Sequence, residues 1–314
     1  TRTHLGDISR ITYGDGEDIE YSYNALGQLK AIKDSLGLTK IDRDILGRER
    51  SITDHKGRSI SYEYDDAGNR TILDEAGAKT EYLYNKANQL MRADTPQGTT
   101  IFEYDKRGNV IHKSTEGASK TVSVKYTYGA NNRLIQAVKN ADGKSLTARY
   151  EYNGLGMRVS RTTDAGSIDY ILDQTKMYNN LLESIQVDDL GSIGNPSKSE
   201  DFIWLDNELI MTGETPILAG RLGTPERLLG NTESASMYDE FGMPEVVKIP
   251  EATKLPEVSG ELPLGFTGYM RDDISDTLFA QAREYMPEIG RFMGRDILKG
   301  RVEQPRSLNE YAYC

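Results

Sequence analysis

The sequence predicts an all-β protein built as a strip of short β-hairpins, and three observations predict it. The chain of 314 residues carries 30 Gly and 19 Tyr against 6 Phe and 1 Trp, which suits short strands separated by tight turns. A pair of tyrosines one residue apart, followed by Asp or Asn and then Gly, recurs along the first half. The stretches between turns are five or six residues long and alternate in polarity, as in Ser59-Ile60-Ser61-Tyr62-Glu63-Tyr64.

The repeat fixes the elements in order. Tyr21-Ser22-Tyr23-Asn24-Ala25-Leu26-Gly27 is followed by Tyr62-Glu63-Tyr64-Asp65 with Gly68, Tyr82-Leu83-Tyr84-Asn85 with Asn88, and Phe102-Glu103-Tyr104-Asp105 with Gly108. Tyr126-Thr127-Tyr128 with Asn132 and Tyr150-Glu151-Tyr152-Asn153 with Gly156 continue it. A degenerate copy, Ile41-Asp42-Arg43-Asp44 with Gly47, has lost both tyrosines. The key positions 27, 47, 68, 88, 108, 132 and 156 are all Gly or Asn, the residues that tolerate positive φ. A second turn signal follows each by about ten residues, as at Asp54 to Gly57 and Asp74 to Gly77, so each repeat is one hairpin. Isolated hairpins are marginal in water, so the units are expected to pair edge to edge. With Gly6 starting the series, eight of them give roughly sixteen strands and roughly 75 Å of sheet, which is expected to coil on itself. The Y-x-Y spacing places both rings of a pair on one face of the strand.

From Ser167 to about Gly230 the period blurs, although Ile168-Asp169-Tyr170-Ile171-Leu172 and Phe202-Ile203-Trp204-Leu205-Asp206 still look like strands. Asp188 to Glu200 reads as a loop. Met237 to Pro244 looks like a returning repeat, and Val246 to Gly260 reads as an extended surface insertion flanked and punctuated by prolines. The domains expected are therefore 1–166 (repeats), 167–262 (degenerate repeats with insertions) and 263–314 (a closing segment).

Composition excludes several function classes. The formal charge is −11, without a Lys/Arg-rich stretch, so the chain lacks the basic footprint of a nucleic-acid reader. No apolar run is long enough for a membrane-spanning helix. One cysteine, Cys314, and three scattered histidines, His4, His55 and His112, exclude an internal disulfide framework and a Cys/His zinc cluster. The Asp-bearing turns each have one Asp and one Gly, which is ordinary turn chemistry, so neither a metal nor a cofactor is expected. Adjacent carboxylates such as Asp65/Asp66, Asp188/Asp189 and Asp272/Asp273 point to opposite faces if extended, so they read as solvated loops and not as a glycosidase pair.

The repeated motif resembles the tyrosine-aspartate (YD) repeats of the Rhs and wall-associated-protein families, related to the C component of insecticidal toxin complexes and to teneurins. The resemblance covers residues 1 to about 166 and implies a strip of β-sheet coiling into part of a hollow shell around a C-terminal toxin. A second stretch resembles the core segment that ends an Rhs shell. It comprises Phe266-Thr267-Gly268 with Asp272, Arg283-Glu284-Tyr285, and Pro287-Glu288-Ile289-Gly290-Arg291-Phe292 with Asp296, followed by Leu308-Asn309-Glu310-Tyr311. Met286 stands where that family has Asp, and Ile297 where it has Pro.

That second resemblance implies chemistry at Asp296 and the neighbouring Arg295. Cores of this kind can cut the chain downstream by an aspartic-protease-like mechanism, in which one carboxyl holds a proton while its partner activates water. Asp296 matches the first carboxyl. The second belongs to a later D-P-x-G-L motif that residues 1–314 do not contain, so a structural role for Asp296 stays open and no stand-alone enzyme is expected. Arg291 reads as a buried guanidinium pairing a carboxylate. The partners implied are a toxin cargo on the same polypeptide, upstream YD repeats, and an immunity protein acting through the toxin. The location implied is secreted or cell-surface, in a bacterium. The start in mid-repeat leads to the expectation of an exposed sheet edge and of missing flanking segments. The alternatives are a cell-surface adhesion or carbohydrate-binding module and, more remotely, a β-solenoid polysaccharide hydrolase.

Overall fold

The computed structural model describes residues 1–12, 16, 18–35, 37–117, 120–176, 180–187, 198–205, 207–219, 223–228, 234–235, 237–238, 241–245, 263–301 and 305–313. The extended insertion at Val246 to Gly260, most of the loop from Asp188, the pair Asp188/Asp189 and Cys314 lie outside the described residues. The chain divides into two compact units, residues 1–101, 116–118 and 299–310 in the first, and 102–115, 119–298 and 311–314 in the second. Among the described residues the regular structure is strand, with short 3-10 turns and no α-helix. Among the described residues no helix is long and apolar enough to cross a membrane.

In the first unit the strands are β1 (Arg10–Thr12), β2 (Asp18–Tyr23), β3 (Leu29–Lys33), β4 (Leu38–Arg43), β5 (Glu49–Thr53), β6 (Ser59–Tyr64), β7 (Arg70–Glu75), β8 (Ala78–Tyr84), β9 (Leu90–Thr95) and the start of β10 (Gly98–Tyr104). Each pairs antiparallel with the next. This is the hairpin strip read from the sequence, with every register step made by a local turn.

The second unit holds β11 (Val110–Gly117), β12 (Thr121–Tyr128), β13 (Leu134–Ala141), β14 (Lys144–Tyr152), β15 (Arg158–Thr163), β16 (Gly166–Leu172), β17 (Leu181–Val187), β18 (Lys198–Leu205), β19 (Glu208–Thr212), β20 (Thr215–Ala219), β21 (Pro225–Leu228) and β22 (Ser234–Ala235). From β12 to β22 each again pairs antiparallel with the next. Two small sheets follow: β23 (Met237–Tyr238) with β24 (Pro244–Glu245), and the closing sheet of β25 (Met270–Asp272), β26 (Thr277–Ala280), β27 (Arg283–Met286) and β28 (Arg291–Phe292).

One turn serves all seven key positions. Each has positive φ, from 58° at Asn88 to 88° at Gly108. In each, its amide donates to the carbonyl three residues back, as Gly27 does to Asn24 at 3.0 Å. In six of the seven, an Asp or Asn three residues before the key position accepts amides from inside the turn, as Asp65 Oδ1 does from the Asn69 amide at 2.8 Å; before Asn132 that residue is Gly129.

Both rings of a pair do face one way: in β6, β8, β12 and β14 the first tyrosine is buried, the residue between is exposed and the second tyrosine is half-buried. A bulge falls immediately before the second ring, between Glu63 and Tyr64, Leu83 and Tyr84, and Glu151 and Tyr152. Past it, in β6, β8 and β14, that ring's hydroxyl donates to the carbonyl of the residue opening the preceding strand. Tyr64 reaches Glu49 at 2.7 Å, Tyr84 reaches Arg70 at 2.8 Å and Tyr152 reaches Leu134 at 2.7 Å. The hydroxyl thus pairs a carbonyl left over where the ladder opens.

Two departures from the sequence reading share this cause. The degenerate copy keeps the device without tyrosines: a bulge precedes Arg43, whose Nε donates to the Leu29 carbonyl at 3.2 Å. The stretch after Ser167, which reads as blurred, continues the same hairpins. Bulges precede Leu172 and Trp204, and Trp204 Nε1 donates to the Leu181 carbonyl, which opens β17. Where the bond is made, a long side chain with an N–H or O–H donor makes it, and Tyr, Arg and Trp all supply one, whereas Leu172 takes the same place without one. The expected loop is also shorter than read, because Lys198, Ser199 and Glu200 already belong to β18.

Candidate functional site

Within the second unit the closing sheet is seated on strands of the repeat by buried charges. Lys113 on β11 donates to Glu288 at 2.6 Å and to Asp276 at 3.3 Å, and its side chain is only 5% exposed. Lys139 on β13 reaches the other Asp276 oxygen at 2.6 Å. Arg133 in the preceding turn donates to the carbonyls of Gln281 and Ala282. On β15, Arg161 bridges Asp272 and Asp273 at 2.6 and 2.7 Å, and Arg158 meets Glu284 at 2.6 Å with both side chains almost fully buried. Tyr126 adds a hydroxyl bond to the Ser275 carbonyl at 3.0 Å.

The repeat explains where these cations sit. Two residues after a key position the chain turns inward, and Leu90, Val110 and Leu134 occupy that place, fully buried. In the copies at Gly68 and Gly156 the same place holds Arg70 and Arg158. Five residues after a key position stand Ile32, Ile52, Leu73, Ala93 and Ala137, but Lys113 and Arg161 in two of the three copies that receive the closing sheet. A charged residue at a place that most other copies fill with an apolar one is a signal the sequence contains, although Glu49 and Arg70 carry it without meeting the closing sheet.

Each charge is compensated. Arg158 lies 4.1 Å from the Tyr150 ring centroid and 4.5 Å from that of Phe279, so two aromatic faces flank the guanidinium. Asp272 Oδ1 accepts the amides of Ile274 and Ser275 at 2.9 and 2.8 Å. Burial is the largest influence on Asp272 and pushes its pKa up, but Arg161, Arg158 and the Ser275 amide together hold it below the ordinary carboxylate value. For Lys113 burial again opposes the charge most strongly, and Glu288 and Asp276 outweigh it, so the ammonium titrates above the ordinary lysine range. For Glu284 burial wins and pushes the carboxyl up.

Arg291, Arg295 and Asp296 lie just beyond this seat. After the turn Pro287–Ile289, closed by Gly290 at φ 66°, Arg291 is buried beneath Tyr311, 5.7 Å from its ring. Arg295 is exposed, and its aliphatic stem crosses Gly108 so closely that a Cβ there would overlap it. Asp296 is half-buried, with one oxygen 2.8 Å from Arg283 Nη2 and the other accepting the Leu298 amide at 2.8 Å. Arg283 in turn stacks on Phe292 at 3.6 Å. Asp296 thus supplies one carboxyl set against a guanidinium, half of a two-carboxyl acid/base scheme. Among the described residues no cluster of three or more His, Cys, Asp or Glu is placed to hold a metal.

Comparisons with known proteins bear on the repeat. Residues 46–80 match the family described as RHS Repeat. None of the curated proteins matches the sequence. Among solved structures, the complex of TcdB2-TccC3 with Cdc42 superposes with TM-score 0.43 at 13% identity, covering 96% of this chain and 19% of that one. The Tc holotoxin pore of Photorhabdus luminescens gives 0.38 at 13%, covering 99% and 20%. A porin-like protein of Bacteroides uniformis gives 0.31 at 12%, covering 55% and 92%. The chain spans about a fifth of the toxin-complex chains. Likeness this low leaves the role of the chain to its own residues. Residues 46–80 thus carry an RHS repeat, and the same turn, bulge and side-chain bond recur along the strip on either side of them.

Proposed function

We propose that the chain is the closing end of a repeat-built shell that encloses and delivers a toxin cargo carried on the same polypeptide. The observation that carries this reading is the seat: five basic side chains, from β11 to β15, hold one segment against the face bearing Tyr126 and Tyr150. A sheet that only adhered to sugars would need accessible rings, whereas the repeat aromatics here are buried or half-buried. That favours a wall over an adhesion or carbohydrate-binding module. Upstream YD repeats extend the wall, an immunity protein acts through the cargo, and the assembly is secreted or cell-surface and bacterial. Asp296, with Arg295 beside it, is the carboxyl from which self-cleavage is run once a second carboxyl downstream joins it.

The test uses the protein extended downstream through its cargo. Expected are protease protection of the cargo and, if a second carboxyl follows, self-cleavage that Asp296→Asn abolishes while the fold, read by circular dichroism, is kept. A cargo digested as fast as a free domain sinks the enclosure. Cleavage unchanged in the folded Asp296→Asn variant makes Asp296 structural only.

A further inference from the structure

Four oxygens of the closing sheet form an unbroken chain. Asp272 Oδ1 lies 3.2 Å from Ser275 Oγ, Ser275 Oγ lies 2.6 Å from Thr277 Oγ1, and Thr277 Oγ1 lies 3.0 Å from Glu284 Oε2. All four residues are buried. Each of the three contacts needs one hydrogen between its oxygens, and the two hydroxyls own only two. With both carboxyls ionised, one contact is left as facing lone pairs. The middle contact cannot be that one, because 2.6 Å is the length of a strong O–H···O bond. If it takes one hydroxyl hydrogen, the two outer contacts share the other, and one carboxylate faces a bare oxygen in a buried site.

Asp272 is not the source of a third hydrogen: its Oδ1 already accepts two amides and its Oδ2 pairs with Arg161. Glu284 has one oxygen on Arg158 and the other on Thr277. We infer that the third hydrogen belongs to Glu284, held as the neutral acid, and that the chain runs from Glu284 to Thr277 to Ser275 to Asp272 with each oxygen donating to the next. The groups facing Glu284 divide as follows. Arg158 on β15 and Arg133 before β13 oppose the neutral form. The ionised Asp272 on β25 favours it. Tyr128 on β12 and Tyr150 and Tyr152 on β14 surround it with phenols that burial keeps protonated. Burial is the largest influence and sides with the acid. Arg158 does not need an ionised Glu284, since Tyr150 and Phe279 flank it and Asp272 adds its field.

The consequence is a pH-sensitive fastening. A carboxyl whose folded pKa is raised stabilises fully below its unfolded pKa, and that stability is lost as pH rises through the folded value. The closing sheet is therefore held most tightly in mild acid and loosens toward alkali.

Glu284→Gln in the full chain tests this, because the carboxamide keeps the size, donates its N–H to Thr277 and accepts from Arg158 through its oxygen. Two results are expected. The infrared difference spectrum, native minus variant at neutral pH, shows a protonated carboxyl band. The fall in native Tm between mildly acidic and mildly alkaline buffer is largely absent in the variant. Carboxylate bands alone in the difference spectrum overturn the proposal. So does a variant that fails to fold or melts lower at every pH, since a neutral isostere of a neutral acid should fit.

Discussion

The hairpins around Gly27 to Gly57 and those around Gly108 to Gly166 use the same turns and bulges but bury very different things. In the earlier group the inward places are Ile32, Ile52 and Leu29, all only half-buried, and the bonds across strands are made by Tyr64 and Arg43 to carbonyls. In the later group Val124, Leu134, Ala137 and Ala148 are fully buried, and Lys113, Arg158 and Arg161 take inward places to meet the closing sheet. The repeat is thus a scaffold whose inward places are exchanged one by one. With Lys113, Arg158 and Arg161 at inward places it makes a receptor for the closing sheet, whereas Arg70 at such a place serves the strip itself, bonding the Tyr82 hydroxyl.

The sharpest way to break this contrast is Arg158→Ala. It removes a buried guanidinium and empties the space between Tyr150 and Phe279, so a loss of about 3–5 kcal/mol is expected in the second unit by chemical denaturation. Arg43→Ala, which removes a half-buried guanidinium bound to the Leu29 carbonyl, is expected to cost about 1 kcal/mol. Equal losses would end the distinction between strip and receptor.

The key turn offers the same comparison with backbone alone. Gly27→Ala and Gly108→Ala both force a side chain into positive φ, expected to cost about 1–2 kcal/mol. A Cβ at Gly27 meets nothing, but at Gly108 it overlaps the Arg295 stem and the Tyr311 hydroxyl, so the second variant is expected to melt distinctly lower. A smaller effect is expected for Tyr64→Phe, about 0.5–1.5 kcal/mol, and Arg43→Tyr is expected to be tolerated because it restores the commoner donor to the Leu29 carbonyl. Melting curves of the two variants check both.

Acid sharpens the contrast from another side. Asp272 has a depressed folded pKa, so its stabilisation is present above the ordinary aspartate range and lost as pH falls through the folded value. Asp272→Asn is expected to lower Tm at neutral pH and to flatten the acid limb of the pH profile. Tm measured across that limb for both proteins is the check.

The strip was legible from residue order alone because its information is local. Gly or Asn at the key position, an Asp or Asn before it and alternation between turns each act within a few residues, and those are the distances over which turn and strand preferences operate. The copy at Arg43 and the run through Trp204 escaped that reading because the repeat selects a donor at a place, not a residue type. The role of Glu284 escaped it more completely. Its partners Arg158, Thr277 and Asp272 come from three other strands, and only when those strands close around it does the count of hydrogens between buried oxygens acquire a meaning. Sequence determined the hairpins, since the free energy of a turn is set by neighbours along the chain. Tertiary structure decided which inward places carry charge to a partner and what state that charge takes, since desolvation and pairing depend on groups that are far apart in sequence and adjacent only after folding.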